Sequence, residues 1–197
     1  MDALEAILTR RSTRNYKPDA VETEKIEQIL DAARQAPSGG NNQTNHFLVI
    51  RNPDTLQKLA SMVEEAFSGM DIEEDTYASL KHSITLSKKG GYVFYYNAPV
   101  LIVVANRLNY GNNIADCACA IENMMIAANA LDLGSCWINQ LKWLNEEPRI
   151  LDYLRTLGME EDERVYGAVI VGYPDTDSGL PNRNLMPQKG NRVTYIE

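Results

Sequence analysis

The sequence predicts an α+β fold, and three observations carry that prediction. Two continuous apolar runs, PVLIVVA at 99–105 and RVYGAVIVG at 164–172, read as strands buried on both faces. The stretch 114–131 is apolar nearly all round, which reads as a long helix covered on every side. Helical and strand segments mix without strict alternation, which favours α+β over a doubly wound parallel sheet.

The remaining elements follow in chain order. Asp2 can cap a first helix, with Glu5 three residues on and Leu4, Ile7 and Leu8 as its apolar stripe. Thr23 can cap a second, with Ile26, Ile29, Leu30 and Ala33 on one face and Pro37 beyond its end. Ser38-Gly39-Gly40-Asn41-Asn42 is a loop by composition. Residues 46–50 read as a strand, and Asn52-Pro53 opens a helix running to about Ser68. The polar stretch 69–92 has no clear period and reads as a helix with a mobile cover. Gly134 stops the long helix. A short strand follows at 136–138, and Asn145 is placed to cap a helix through Leu157. Residues 174–191, rich in Pro, Asn and Gly, read as a surface excursion. The β-prone end, RVTYI at 192–196, must pair somewhere, with a partner subunit as one candidate.

Composition narrows the function classes. The chain has 197 residues, with 44% hydrophobic and 23% charged, which is ordinary for a globular protein. That length, with no internal repeat and no visible boundary, predicts a single domain over 1–197. No apolar run approaches membrane-spanning length and the N-terminus has no signal pattern, so the expectation is a cytoplasmic protein. Three cysteines (Cys117, Cys119 and Cys136) without a CxxC argue against a disulfide framework and against a zinc site, and Cys117 and Cys119, in an apolar helical stretch, read as buried small hydrophobes. A net charge of −8 disfavours nucleic acid and anionic membrane as partners. Yet both ends are basic: Arg10, Arg11, Arg14 and Lys17 near the start, Arg183, Lys189 and Arg192 near the end. Two basic ends on an acidic body suggest a small anion held where they meet.

Three segments could carry chemistry. In RRSTRNY (10–16), Arg10, Ser12 and Arg14 lie on one side of an extended chain, and arginine forks with a hydroxyl suit a phosphate. The same bases could simply answer a helix C-terminus. In APSGGNNQ (36–43), paired glycines permit close backbone approach, and Ser38, Asn41, Asn42 and Gln43 offer donors and acceptors for an uncharged polar edge. A solvated turn would have the same composition. In LGSCWINQ (133–140), a strand end with Trp137 could border a flat ring, or be ordinary core.

Taken in order, RRSTRNY (10–16), APSGGNNQ..HF (36–47), NAPVLIVVA (97–105), DCACAIENMMIAANALDLGSCWI (116–138) and GNRVTYI (190–196) resemble the nitroreductase-like FMN flavoproteins. The resemblance implies a sheet flanked by helices in an intertwined homodimer, with FMN between the subunits. It implies that Arg10, Arg11, Ser12 and Arg14 hold the phosphate and ribityl chain, with Lys189 and Arg192 closing over the phosphate. Pro37, Ser38, Gly39, Asn41 and Gln43 would reach the flavin from the other subunit. The backbone at Trp137, Ile138, Asn139 and Gln140 would border the ring near its reactive N5, and helix 114–131 would form much of the interface. The implied activity is hydride transfer from NADH or NADPH through the flavin to a small acceptor, such as a nitroaromatic or quinone, by a ping-pong route. No catalytic side chain and no metal are implied. Relatives by fold remove halogen from aromatic rings or fragment flavin, and a non-enzymatic flavin-binding module is the third possibility. Two departures stand out: Thr44 and Asn45 occupy the place of the family's usual Pro-Trp, and Asn139 and Gln140 replace small residues after the Trp-Ile pair.

Overall fold

A computed structural model describes residues 1–187 and 189–197. Its centre is a four-stranded antiparallel sheet in the order β1-β2-β4-β3, formed by β1 (His46–Ile50), β2 (Val100–Arg107), β3 (Gly134–Ile138) and β4 (Glu163–Gly172). The helices are α1 (Ala3–Thr9), α2 (Thr23–Arg34), α3 (Pro53–Ser68), α4 (Ala78–Lys89), α5 (Asn113–Ala130), α6 (Gln140–Trp143) and α7 (Pro148–Thr156), and a 3-10 turn covers Gly39–Asn41. The mixed helix and antiparallel-sheet architecture is the predicted α+β class.

The two central strands are buried on both faces because helices cover both. In β2, Leu101, Val103 and Ala105 point into a core shared with α3, α4, α6 and α7. Val100, Ile102 and Val104 point the other way, into a core shared with α2 and α5. The period of two is interrupted once in β4. Val104 pairs with Gly167 and Ala105 with Val165, so Tyr166 is an extra residue bulged out of the ladder. The bulge switches the parity of β4, which is why Val165 shares a face with Ala168 and Ile170. Tyr166 lies on the α5 side, where its hydroxyl accepts a hydrogen bond of 2.7 Å from Asn113.

Asp2 caps α1 by accepting from Glu5 N at 2.9 Å, and Asn52 caps α3 by accepting from Thr55 N at 2.9 Å. Three local expectations are corrected. Thr23 is the first residue of α2 rather than its cap; its hydroxyl accepts from Arg51. Asn145 caps nothing, because its side chain accepts from Val165 N at 2.8 Å, and α7 starts with Pro148 in its first turn. Cys119 is exposed, whereas Cys117 and Cys136 are buried, because α5 turns one side away from the core. The unreadable stretch resolves into α4, whose buried face consists of Ser83, Ile84 and Ser87 and packs on α3. Residues 192–196 form no strand within the chain, and Tyr195 and Ile196 are exposed.

Past α1 the chain runs extended along β3. Ser12 forms a parallel bridge with Ser135, Thr13 N donates to Ser135 O at 2.8 Å, and Tyr16 bridges Pro174. This pairing needs a glycine at 134: a Cβ there would lie 2.7 Å from Thr13 Cγ2. Gly134→Val is therefore expected to destabilise the fold by about 1–3 kcal/mol through overpacking, read as a lower urea midpoint at unchanged slope.

Candidate functional site

The strand pairing that closes the edge of β3 carries Arg14 to the mouth of a cavity of about 530 Å³. One side is the end of β3 and the turn at Asn139 into α6, residues Cys136 to Gln140. The opposite wall is α4, through Ala78, Ser79, His82 and Ser83, and Tyr92, Tyr96 and Trp143 complete it. The Arg14 guanidinium lies 6.0 Å from the centre of the Tyr96 ring. Tyr96 is held at φ 52°, a left-handed conformation that a bulky residue seldom adopts without a local constraint.

The inner end of the cavity is polar. Gln140 Nε2 donates to Tyr92 Oη at 2.8 Å and to Ser83 Oγ at 3.3 Å, and Ser83 Oγ lies 3.0 Å from Tyr92 Oη. Ser83 can also donate to Ser79 O at 3.2 Å. The other amide atom, Gln140 Oε1, is buried without a protein partner. Burial pushes the Tyr92 phenol above its ordinary range, against the opposing pull of the Ser83 and Gln140 bonds, so it holds its proton at neutral pH. Burial likewise raises the Cys136 thiol, which therefore stays neutral beside Arg14. Trp137 Nε1 donates to Asn139 Oδ1 at 2.8 Å, which stiffens the turn.

The residues singled out in the sequence are distributed unevenly around this cavity. Arg14, Trp137, Ile138, Asn139 and Gln140 line it together. Ser12 is exposed next to Arg14 on the extended segment. Arg10 pairs with Glu122 at 3.3 Å. Arg11 turns away, donating to Asn184 O at 2.6 Å and to Leu8 O at 3.0 Å, and so ties the C-terminal excursion to the end of α1. Arg183 adds a second tie, to Asn129 O and Asp132, each at 2.6 Å. Lys189 and Arg192 are exposed in the tail. None of Pro37, Ser38, Gly39, Asn41 and Gln43 lines this cavity; Ser38 and Gln43 border a separate concavity of about 260 Å³ with Ala33, Arg34, Ala36, Asn45 and Phe47.

Sequence reasoning missed the groups that hold this second region. Gly39 N donates to both oxygens of Asp116, at 3.1 and 3.2 Å, and Tyr110 Oη lies 2.9 Å from Asp116 Oδ2 and 3.0 Å from Gly39 O. Asn45, one of the two departures, is an internal tie: it donates to Asp116 O at 3.1 Å and accepts from Asn106 at 2.8 Å and from Cys117 Sγ at 3.2 Å. Burial pushes the Cys117 thiol up to about 12. Thr44 Oγ1 is buried without a partner. The available signal was Asp116, a carboxylate in the first turn of a helix whose neighbouring residues Ile114, Ala115, Cys117 and Ala118 are apolar.

The Nitroreductase family model matches residues 7–173, and the chain belongs to that family. It is similar to a nitroreductase with bound FMN from Bacteroides fragilis NCTC 9343, at 34% identity and a TM-score of 0.84 over 100% of both chains. An Archaeoglobus fulgidus protein, provisionally named an NADH dehydrogenase/NAD(P)H nitroreductase, is 33% identical over 88% of this chain and 86% of its own length. Iodotyrosine deiodinase 1 of Mus musculus is 29% identical over 90% of this chain and 64% of its own.

The chain has two tryptophans, Trp137 and Trp143, and both line the large cavity. A planar chromophore bound there is expected to quench most intrinsic tryptophan emission in a saturable titration. A chromophore that binds with no loss of emission occupies some other place.

Proposed function

We propose that this chain, acting as one domain over 1–197, binds FMN in the cavity between Arg14 and the 137–140 turn, and is an NAD(P)H-dependent oxidoreductase. The observation that carries the reading is the convergence of a cation, a strand-end turn and an aromatic wall on one cavity. The residues fit the cofactor. An arginine at the mouth suits a phosphate, about 530 Å³ lies within the range of small-molecule sites, and the orphaned Gln140 Oε1 is an acceptor in want of an N–H. When bound, FMN supplies two-electron chemistry at its N5 between a reduced nicotinamide and a small acceptor, in a ping-pong order.

The chain's own residues bind, orient and exclude water. Ser12 and Arg14 hold the phosphate and ribityl chain, and Arg10 joins them once it releases Glu122. Lys189 and Arg192 close over the phosphate, and Arg11 shapes the approach by fixing the excursion that leads to them. Backbone N–H groups of the 137–140 turn meet the ring's polar edge and favour negative charge there. Pro37, Ser38, Gly39, Asn41 and Gln43 complete the site from a second copy in a homodimer. The α5 face bearing Ile114, Ala115 and Cys119 is exposed in the single chain and is the surface that such a copy covers. Similarity to a deiodinase favours a second reading, reductive removal of halogen from an aromatic ring within the same cavity. Parallel assays with a nitroaromatic, a quinone and a halophenol separate the two.

The purified protein is expected to be yellow and to bleach on anaerobic addition of NADH or NADPH; a colourless preparation that gains no colour with added FMN overturns the reading. Arg14→Ala is expected to weaken FMN binding roughly tenfold to a hundredfold, the value of a hydrogen bond to a charged group. Unchanged affinity would remove Arg14 from the phosphate site. In the homodimer the exposed Cys119 thiol is expected to resist iodoacetamide at micromolar protein; rapid native labelling at that position argues against α5 as the interface.

A further inference from the structure

The geometry points to Asp116, with Tyr110, as the positioning device for the loop 38–43, the part of the flavin site that a second subunit contributes. The inference rests on the FMN reading above and adds residues to it. The loop is strained. Gly40, Asn41 and Gln43 have φ of 60°, 55° and 51°, so three of its six residues are left-handed and two of those are not glycine. Such backbone persists only where its surroundings over-determine it, and ligand clamps are a recurrent place for it.

The over-determination comes from a short list of contacts. Gln43 N donates to Ser38 Oγ at 3.0 Å, and the Gln43 amide donates to Asn41 Oδ1 at 2.9 Å, so the loop is tied across itself. Its only tie into the core by a charged group, among the described residues, is the Gly39 N–H on the Asp116 carboxylate. Gly39 is a glycine for that approach: a Cβ would lie 1.9 Å from Asn112 Nδ2 and 2.7 Å from Tyr110 Oη. Tyr110 closes the triangle, its one proton lying between Asp116 and Gly39 O.

Asp116 is 4% exposed, and no basic side chain among the described residues pairs with it. A buried carboxylate without a cation is a poor device for stability alone, because desolvation opposes it. Its place in the first turn of α5 offsets part of that cost. What the carboxylate gains is one defined position for an otherwise exposed loop. Without it the loop samples other conformations, and the ordering cost reappears when ligand binds.

The test uses the chain of residues 1–197 and the variants Asp116→Ala, Asp116→Asn and Tyr110→Phe. Flavin is removed, FMN affinity is read from quenching of FMN fluorescence, and amide exchange is followed at Gly39 in the flavin-free protein. Asp116→Ala is expected to raise the FMN Kd about tenfold, equivalent to about 1.4 kcal/mol, and to speed exchange at Gly39. Asp116→Asn keeps an oxygen for Gly39 N–H and is expected to restore most of both. Tyr110→Phe leaves the carboxylate in place, and is expected to move both readouts the same way by less, which keeps the idea testable if Asp116→Ala does not fold. Wild-type affinity and wild-type exchange in Asp116→Ala overturn the inference, as does an asparagine variant as impaired as the alanine. If the unaltered chain binds no FMN, the flavin reading fails instead, and the exchange measurement still decides whether Asp116 positions the loop.

Discussion

The hydrogen bond from Thr13 N to Ser135 O is the joint between the fold and its chemistry. β3 is an edge strand, with β4 on one side. An unpaired edge invites association with other chains, and here the protein covers it with its own residues 12 and 13. The consequence is positional. Once Ser12 and Thr13 are fixed against Ser135, Arg14 has little choice but to stand beside the residues that leave β3, and the cavity has its cation. The joint depends on Gly134 admitting the Thr13 side chain, so a backbone position with no chemistry of its own governs where the charge is delivered.

A second constraint is the use of buried polar groups in a core that is otherwise apolar. Asn45, Asn106, Asp116 and Cys117 form one connected set, and Asn113 with Tyr166 another. The partly exposed His46 and the buried Glu163, 2.8 Å apart, tie β1 to the start of β4, and Glu160 N adds a donor to the same carboxylate. Each of these groups has its hydrogen bonds, which is the condition for burying it at acceptable cost. They cluster where loops must be held in place, whereas the sheet interior relies on Val, Ile, Leu and Ala. Position is specified by polar groups and cohesion by apolar ones.

That division explains what could be read from the sequence. The strands at 100–107 and 163–172 and the helix at 113–130 were visible because burial on both sides leaves an unbroken apolar run. Asp2 was legible as a cap and Asn52-Pro53 as a helix start because both signals are local. Asn145 looks the same in sequence, yet its side chain serves Val165, 20 residues away, a choice that only tertiary structure makes. α4 was hidden because two of its three buried residues are serines, so no hydrophobic period marks it. The Tyr166 bulge left no local trace, since both sides of β4 are apolar. Around the cavity, Arg14 and residues 137–140 were anticipated, but Ser83 was not, because it comes from the segment without a period. Asn45 was seen only as a missing aromatic, and its role as a tie depends on Asn106 and Cys117, distant in sequence.

What a single copy leaves unfinished points in one direction. Leu4, Ile7 and Leu8 on α1 are exposed, as are Ile114 on α5 and Val193, Tyr195 and Ile196 in the tail. A scattered exposed leucine needs no explanation, but helices and a terminus that share the habit do. The strained loop and the arginine-bearing cavity are each well built, and neither lines the other's space. The proposed twofold homodimer would answer both facts with one interface. Its self-complementary contact would cover the outward side of α5 and α1, give the tail a surface to lie on, and bring the loop of one copy toward the cavity of the other. On that arrangement the Asp116 triangle and the Thr13 joint act in different subunits on the same ligand, and the rigidity of each matters because neither can adjust for an error in the other.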